Sequence, residues 1–570
     1  TITADADALY DAISQVNFYA NNVFVGSATN LPYAVTATGL SAGSYSLTAV
    51  AISSSALVST SAPVQITVNV GSGQPYGLTS RGTTPAFFNM PTTSIGALPP
   101  LLSQTGVFGD TAGMVPVPGL IPYVPNVPLW SDTAVKTRYL GLPNNGGGTT
   151  PNEQIAFAPT GYWTFPAGTV FVKTFQLNTD TSNSNILRRL ETRLLVRDIN
   201  GAVYGVTYKW RPDNSDADLL SSSLYEDIAI TNASGVSTQK WYYPSPSDCL
   251  SCHTPVANYV LGLNTRQLNG NDTYATTGVT DNQIRTFNRL GLFNPAFDET
   301  GITNFEKLSA LGNANTNLQE RVRSYLDANC AQCHQPGGSG ITFDARYDTP
   351  LASQNLINGG LNGNGLAMIV PRDIWRSVIH QRMDTTNAVI RMPPLARQLV
   401  DSNAVDILEA WINSLPGTPA EAPPTIAPTG GLFFNNAGIV LTAPDTNATI
   451  YYTFDGATPT TNSYLYSNAF NLTSNAVVSA SAFRTGYVNS MTANATFFIQ
   501  PVRFASQGFS NGVFHLQFLG ATGSNYVLQT STNLMDWTPL ATNPATTNLL
   551  EFIDPSASNF GKRFYRVLQQ

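Results

Sequence analysis

Cysteine and histidine are nearly missing from this chain, with four of each among 570 residues. Charge is scarce as well, at 11% of residues with a net charge of −7, and no basic stripe is present. That balance argues against nucleic acid as a partner. Long apolar runs are also lacking: nothing approaches the ~20 residues of a membrane-crossing helix, so no transmembrane segment is expected. No signal peptide is visible, and a chain that begins at Thr1 reads as a processed form. What fills the polar positions is Asn, Thr, Ser and Gly, the composition of β-rich surfaces and loops rather than of disorder. The length calls for about three to five domains.

The few cysteines are not scattered. "WYYPSPSDCLSCHTP" holds Cys249, Cys252 and His253, and "YLDANCAQCHQPGG" holds Cys330, Cys333 and His334. Each is a C-x-x-C-H unit, the pattern of covalent haem attachment of the c type. Two thiols about one helical turn apart add across the two vinyl groups, and the adjacent imidazole is placed to ligate the iron. C-x-x-C alone also serves as a zinc half-site or a redox dithiol. Zinc would need the pairs to converge, and a thioredoxin-like dithiol would sit in a βαβ pattern; neither context is present. Two haem c groups are therefore expected, with every cysteine used and none left for a disulfide. Such groups are attached outside the bacterial cytoplasm, so the expected location is periplasmic, cell-surface or extracellular.

Residues 1–72 alternate apolar and polar in "VNFYANNVFVG", "GSYSLTAVAI" and "APVQITVNV", a period of two that signals short sandwich strands. The stretch resembles bacterial immunoglobulin-like domains. "GSGQPYGLTSRGTTP" reads as a linker. Residues 85–298 form a β-rich domain with strand candidates "GYWTFPAGTVFVKTFQL", "RRLETRLLVRD" and "AVYGVTYKWR", followed by the first haem motif. From 299 to 417 the period becomes helical. Leu318, Val322, Tyr325 and Leu326 share a face leading into the second motif. "DSNAVDILEAWINSLPG" is a terminal helix capped by Asp401 or Ser402, with Val405, Leu408, Trp411, Ile412 and Leu415 as its apolar stripe. The proline-dense "PGTPAEAPPTIAPTGG" is a linker. Beyond it, residues 432–500 resemble the β-sandwich at the C-terminus of chitobiases, and 501–570 read as a further β module. The expected fold is thus multidomain and mainly β, with one all-α, cytochrome c-like domain.

An iron has two axial positions. For the second haem, Met392 in "VIRMPPLARQLV" is the candidate opposite His334: two prolines stiffen the backbone behind it, and a thioether favours ferrous iron and a higher potential. Met383 is read as packing nearby and His380 as lying on a helix surface or making a local hydrogen bond. For the first haem, His253 is the proximal ligand. The distal position stays open between Met90, Met114, Lys136 as a neutral amine, and no protein ligand. "RPDNSDADLL" crowds Asp213, Asp216 and Asp218 like a calcium loop. It lacks the glycine and glutamate of an EF-hand, so a helix N-cap before "ADLL" is the expectation. "NGGLNGNG" is read as a flexible loop, and His515 as a strand residue.

"PSPSDCLSCH", "GTVFVKTF", "ETRLLVRD", "SYLDANCAQCH" and "RMPPL", in this order, resemble a group of secreted bacterial dihaem c-type cytochromes over residues 95–415. The resemblance implies electron transfer through two haems, with redox proteins or an extracellular acceptor as partners; it names no substrate. With His253 and His334 committed, only His380 and His515 remain, and no Ser-His-Asp cluster can form. An electron carrier is expected rather than a catalyst. The alternatives are a dihaem peroxidase-like enzyme with an open first haem, and a surface binding or assembly protein whose β modules pair into homo-oligomers or filaments.

Overall fold

The computed structural model describes residues 1–570 except 1, 9–10, 38–39, 41–42, 69–74, 148–149, 341, 361–362, 364, 396 and 570. Part of the glycine-rich loop at 358–365 and the start of the 71–85 linker lie outside the described residues. The chain folds as two compact units, residues 1–368 with 379–411, and residues 369–378 with 412–570. Among the described residues no helix is long and apolar enough to cross a membrane.

The first unit opens on a small β module. Ile13–Ala20 lies between Val23–Ala28 and Gly43–Ser53, and the latter pairs with both Val58–Thr60 and Val64–Val68. Ile2–Ala4 and Tyr33–Val35 form a separate pair, and Val16, Phe18 and Tyr33 make the core. Burial alternates along Ile13–Ala20, as the period-two pattern requires.

At the centre of the unit is a six-stranded antiparallel sheet. Its order is Ile121–Pro122, Val135–Gly141, Val170–Asn178, Leu187–Arg197, Val203–Trp210, Ala217–Leu220. Both faces are covered. Val170, Val172, Leu194, Val196, Tyr204 and Val206 pack into one core, while Leu140, Phe171, Leu195 and Val203 face another. This double burial is why these strands read as near-continuous apolar runs. The strand signal in "GYWTFPAGTVFVKTFQL" is realised only from Val170, because Pro166 and Gly168 break its first half.

Two expectations change here. "ADLL" is the edge strand Ala217–Leu220, not a helix start, because Asp216 turns inward to accept from Ser103 N and Oγ. Asp213 closes a turn with Ser215 and Asp218 pairs with Arg211, so the three carboxylates do not converge as a calcium loop would need. The described end of the presumed linker is also part of the domain: Gly77 N donates to Asp281, and Tyr76 stacks on Arg285 at 3.9 Å.

Between Phe293–Asn294 and Thr425–Ala427 no strand forms among the described residues; the segment carries helices Leu318–Cys330, Val378–Met383 and Ser402–Ser414. Val405, Leu408, Trp411 and Ile412 are buried along the last helix, and Asp401 caps it through Ala404 N. In the second unit, residues 425–500 form a sandwich of a three- and a five-stranded sheet over Ile439, Val478 and Phe497. Residues 503–569 add two three-stranded sheets over Phe518, Tyr526 and Phe552. His515 is a strand residue beside Glu551 at 3.1 Å.

Candidate functional site

Both C-x-x-C-H units end helices, and they share one local geometry. In Pro246–Cys252 the N–H of His253 donates to Cys249 O at 3.0 Å; after Leu318–Cys330 the N–H of His334 donates to Cys330 O at 2.9 Å. Short helices need strong ends. The first is started by Ser245, whose hydroxyl accepts from Asp248 N while Asp248 accepts from Ser245 N, with Pro246 in the first turn. Ser-Pro-Ser-Asp is a capping-box spacing, a signal available in the sequence and not used above. Asn317 caps the second helix through Glu320 N.

The first motif helix lies on the central sheet at Gly205. A Cβ there would stand 2.7 Å from both Cβ and Sγ of Cys249, so only glycine permits the approach. Cys249, Cys252 and His253 line a cavity walled by Phe171, Leu195 and Val260. His253 Nδ1 is 2.6 Å from Tyr259 O, which fixes the ring and commits that nitrogen as the donor. A backbone carbonyl on the far nitrogen is the usual support of a metal-ligating histidine. Burial, with Lys173 and Arg193 nearby, lowers the imidazole pKa to about 4 and keeps it neutral, the ligating form.

At the second motif, His334 stacks on Phe343 at 4.4 Å, and Gly340 lies so close that a Cβ would be 2.6 Å from the ring. Its Nδ1 is buried without a hydrogen bond of good geometry, set against the Gly340 backbone. Burial pushes the Cys252 thiol up to about 11 and Cys330 to about 12, each raised further by Cys333. A redox dithiol shows the opposite shift. No three of the described Cys, His, Asp or Glu side chains converge as a metal-binding set, so the pairs do not build a zinc site. Paired thiols at a helix end, a braced neutral histidine and a cavity beside them fit a tethered porphyrin.

The two motifs touch. Thr254 Oγ1 donates to Gln332 O at 3.2 Å, and Cys333 Sγ lies 3.7 Å from Ser251 O. Arg266 and Asp327, both buried, tie the β-rich domain to the second motif helix at 2.9 Å. Trp130 N donates to Asn329, and Asp132 accepts from Gln398 N and Leu399 N.

Met392 N donates to Arg382 O at 3.0 Å, and the charge of Arg382 acts on His334. The Met392 loop is held by Arg397, which the sequence reading missed. Its guanidinium donates to the carbonyls of Arg382, Met383, Thr385, Met392 and Leu399. Met383 is buried on its helix. His380 is buried too, not on a helix surface, with Nε2 3.8 Å from Glu409; its helix turns that face inward.

The distal candidates of the first site fall elsewhere. Met90 and Met114 pack in the core on the other face of the central sheet. Lys136 donates to Leu129 O and does not line the cavity; burial lowers its pKa to about 7, with Arg138 and Arg193 adding to the shift. The cavity is lined instead by Arg138, Lys173 and Arg193, none of them singled out in the sequence. Nothing in "VFVKTF" marks Lys173 as part of a cavity wall, and only the sheet topology reveals that the face it shares with Arg138 and Arg193 is covered.

Residues 1–49 match the bacterial Ig domain family, and residues 428–494 match the chitobiase/beta-hexosaminidase C-terminal domain family. No curated protein matches the chain. Mainly β and multidomain, the protein carries an Ig-like module at its front and a chitobiase-type sandwich behind its two cysteine motifs.

Proposed function

We propose that this protein is an extracytoplasmic dihaem c-type cytochrome that carries electrons between redox partners, with the Ig-like and chitobiase-type modules serving location rather than chemistry. The observation that carries the reading is the pair of C-x-x-C-H helix ends, in contact through Thr254 Oγ1 and Cys333 Sγ. A haem iron at each site supplies a one-electron redox couple. The chain does the rest. Cys249 with Cys252, and Cys330 with Cys333, tether the groups; His253 and His334 ligate; Met392, on the loop pinned by Arg397, completes the second site. The shared wall keeps the two centres in fixed proximity, and burial at Phe171, Leu195 and Phe343 excludes water.

The absence of methionine from the residues lining the first cavity favours a second reading, an enzyme whose first site is open to a small molecule. Full-length protein made in a host with haem-attachment machinery separates the possibilities. The expected intact mass exceeds the polypeptide by two porphyrins, and Cys249→Ala with Cys252→Ala removes one of them. A mass equal to bare polypeptide would overturn both readings. A high-spin ferric signal that cyanide converts would favour the enzyme over the carrier.

A further inference from the structure

The central sheet carries two adjacent rows on the face toward the first cavity, which Gly205, Leu195, Phe171, Arg193, Lys173 and Arg138 line. One runs Gly205, Leu195, Phe171, Leu140 across four strands; the next, two residues along, runs Thr207, Arg193, Lys173, Arg138. An apolar row thus lies beside a row of three cations in direct cross-strand register. Like charges so placed destabilise a sheet, and a buried cation without a partner costs several kcal/mol.

The charges around the cavity can be accounted for one by one. Arg193 is held by Glu191 at 2.6 and 3.0 Å. Arg266 pairs with Asp327, Arg397 is spent on carbonyls, and Asp248 accepts from Ser245 and Tyr242. Two remain. Arg138, only 9% exposed, and Lys173 make no ion pair and no side-chain hydrogen bond among the described residues. Lys173 lies 4.8 Å from the Phe175 ring, and burial lowers its pKa more than the more distant charge of Glu191 raises it, so a bound anion would be what holds it charged.

We infer that Arg138 and Lys173 form a carboxylate seat in the first cavity, and that its occupant is the acidic edge of the porphyrin tethered at Cys249 and Cys252. The inference rests on the dihaem reading. A porphyrin bound through its vinyl carbons carries its two carboxylates on the opposite edge of the ring. Cys249 sits over Gly205, and Lys173 and Arg138 lie two and three strands away, ~10 and ~14 Å at the usual strand spacing. The apolar row between gives the ring a floor, and a mobile anion would need no such floor.

Lys173→Met, Arg138→Gln and Lys173→Arg in the full-length protein test this. Intact mass comes first: two porphyrin increments in every variant keep the dihaem reading, and their absence from the wild type removes that reading itself. With both present, Lys173→Met and Arg138→Gln are expected to lower the reduction potential of one haem only. They also bring a carboxylate titration into its pH profile, and Lys173→Arg restores the wild-type behaviour. Unchanged potentials in the protein carrying both Lys173→Met and Arg138→Gln would overturn the seat. So would loss of an axial-ligand signal in Lys173→Met that Lys173→Arg fails to restore, since Lys173 would then be an iron ligand. A wild-type spectrum that responds to added phosphate or sulfate, with the response lost in the variants, would assign the cations to a free anion instead.

Discussion

Arg397 shows how one side chain can organise a loop through backbone carbonyls alone. Its five carbonyl partners gather the loop around Met392 against the helix Val378–Met383. Arg397→Leu strips these charge-assisted bonds inside a buried pocket, and the expected loss of stability is about 3 kcal/mol or more. The same variant is expected to lose the methionine-to-iron charge-transfer band while keeping both porphyrins by mass. His380 gives a second test at this scale. Burial lowers its pKa, and Asp384 and Glu409 only partly offset that. Neutral imidazole is therefore favoured in the folded chain, and the unfolded chain binds more protons below its ordinary value of ~6.5. Stability is full above that value and falls as the pH drops through the folded one. Denaturant unfolding at pH 7.5 and 5 should show a larger acid loss for wild type than for His380→Gln. The two C-x-x-C-H units were legible as a pattern because their four cysteines and two histidines are spaced alike. Arg397 and Lys173 were not, since a lone cation in an alternating or loop sequence carries no mark of what will cover it.

Among the elements, the helix Pro246–Cys252 depends on a neighbour it meets only in three dimensions. Gly205→Val places carbons where Cys249 packs, so the helix must lift from the strand Val203–Trp210. The expected product carries one porphyrin instead of two, with the second site spectroscopically normal; intact mass and absorption decide it. The terminal helix Ser402–Ser414 was readable from its stripe and its Asp401 cap, because both signals lie within one short stretch of the chain. Ala217–Leu220 was misread for the opposite reason. Its partner Asp216–Ser103 contact spans more than a hundred residues, and sheet pairing overrode the local capping pattern.

For the whole molecule, sequence periodicity divided the chain into modules but did not show how closely two of them join. The β-rich part and the second motif helix share the buried Arg266–Asp327 pair and the Asp132 contact to residues 398 and 399. Asp327→Leu leaves Arg266 buried with only the longer 3.7 Å pair to Asp348, with an expected cost of about 3 kcal/mol by denaturant titration. The outer modules are different. Among the described residues, the strands up to Val68 pair only with one another, as do those from Thr425 onward. Removing residues 1–72 is expected to leave the visible spectrum unchanged while abolishing any attachment or assembly, which sedimentation and cell fractionation would read. A lasting consequence follows from the contact of Thr254 with Gln332 and of Cys333 with Ser251. Cys333 leans on the backbone of the segment that carries Cys252, so the two motif segments cannot shift independently. On the dihaem reading, the porphyrins are therefore expected to go in before that contact closes.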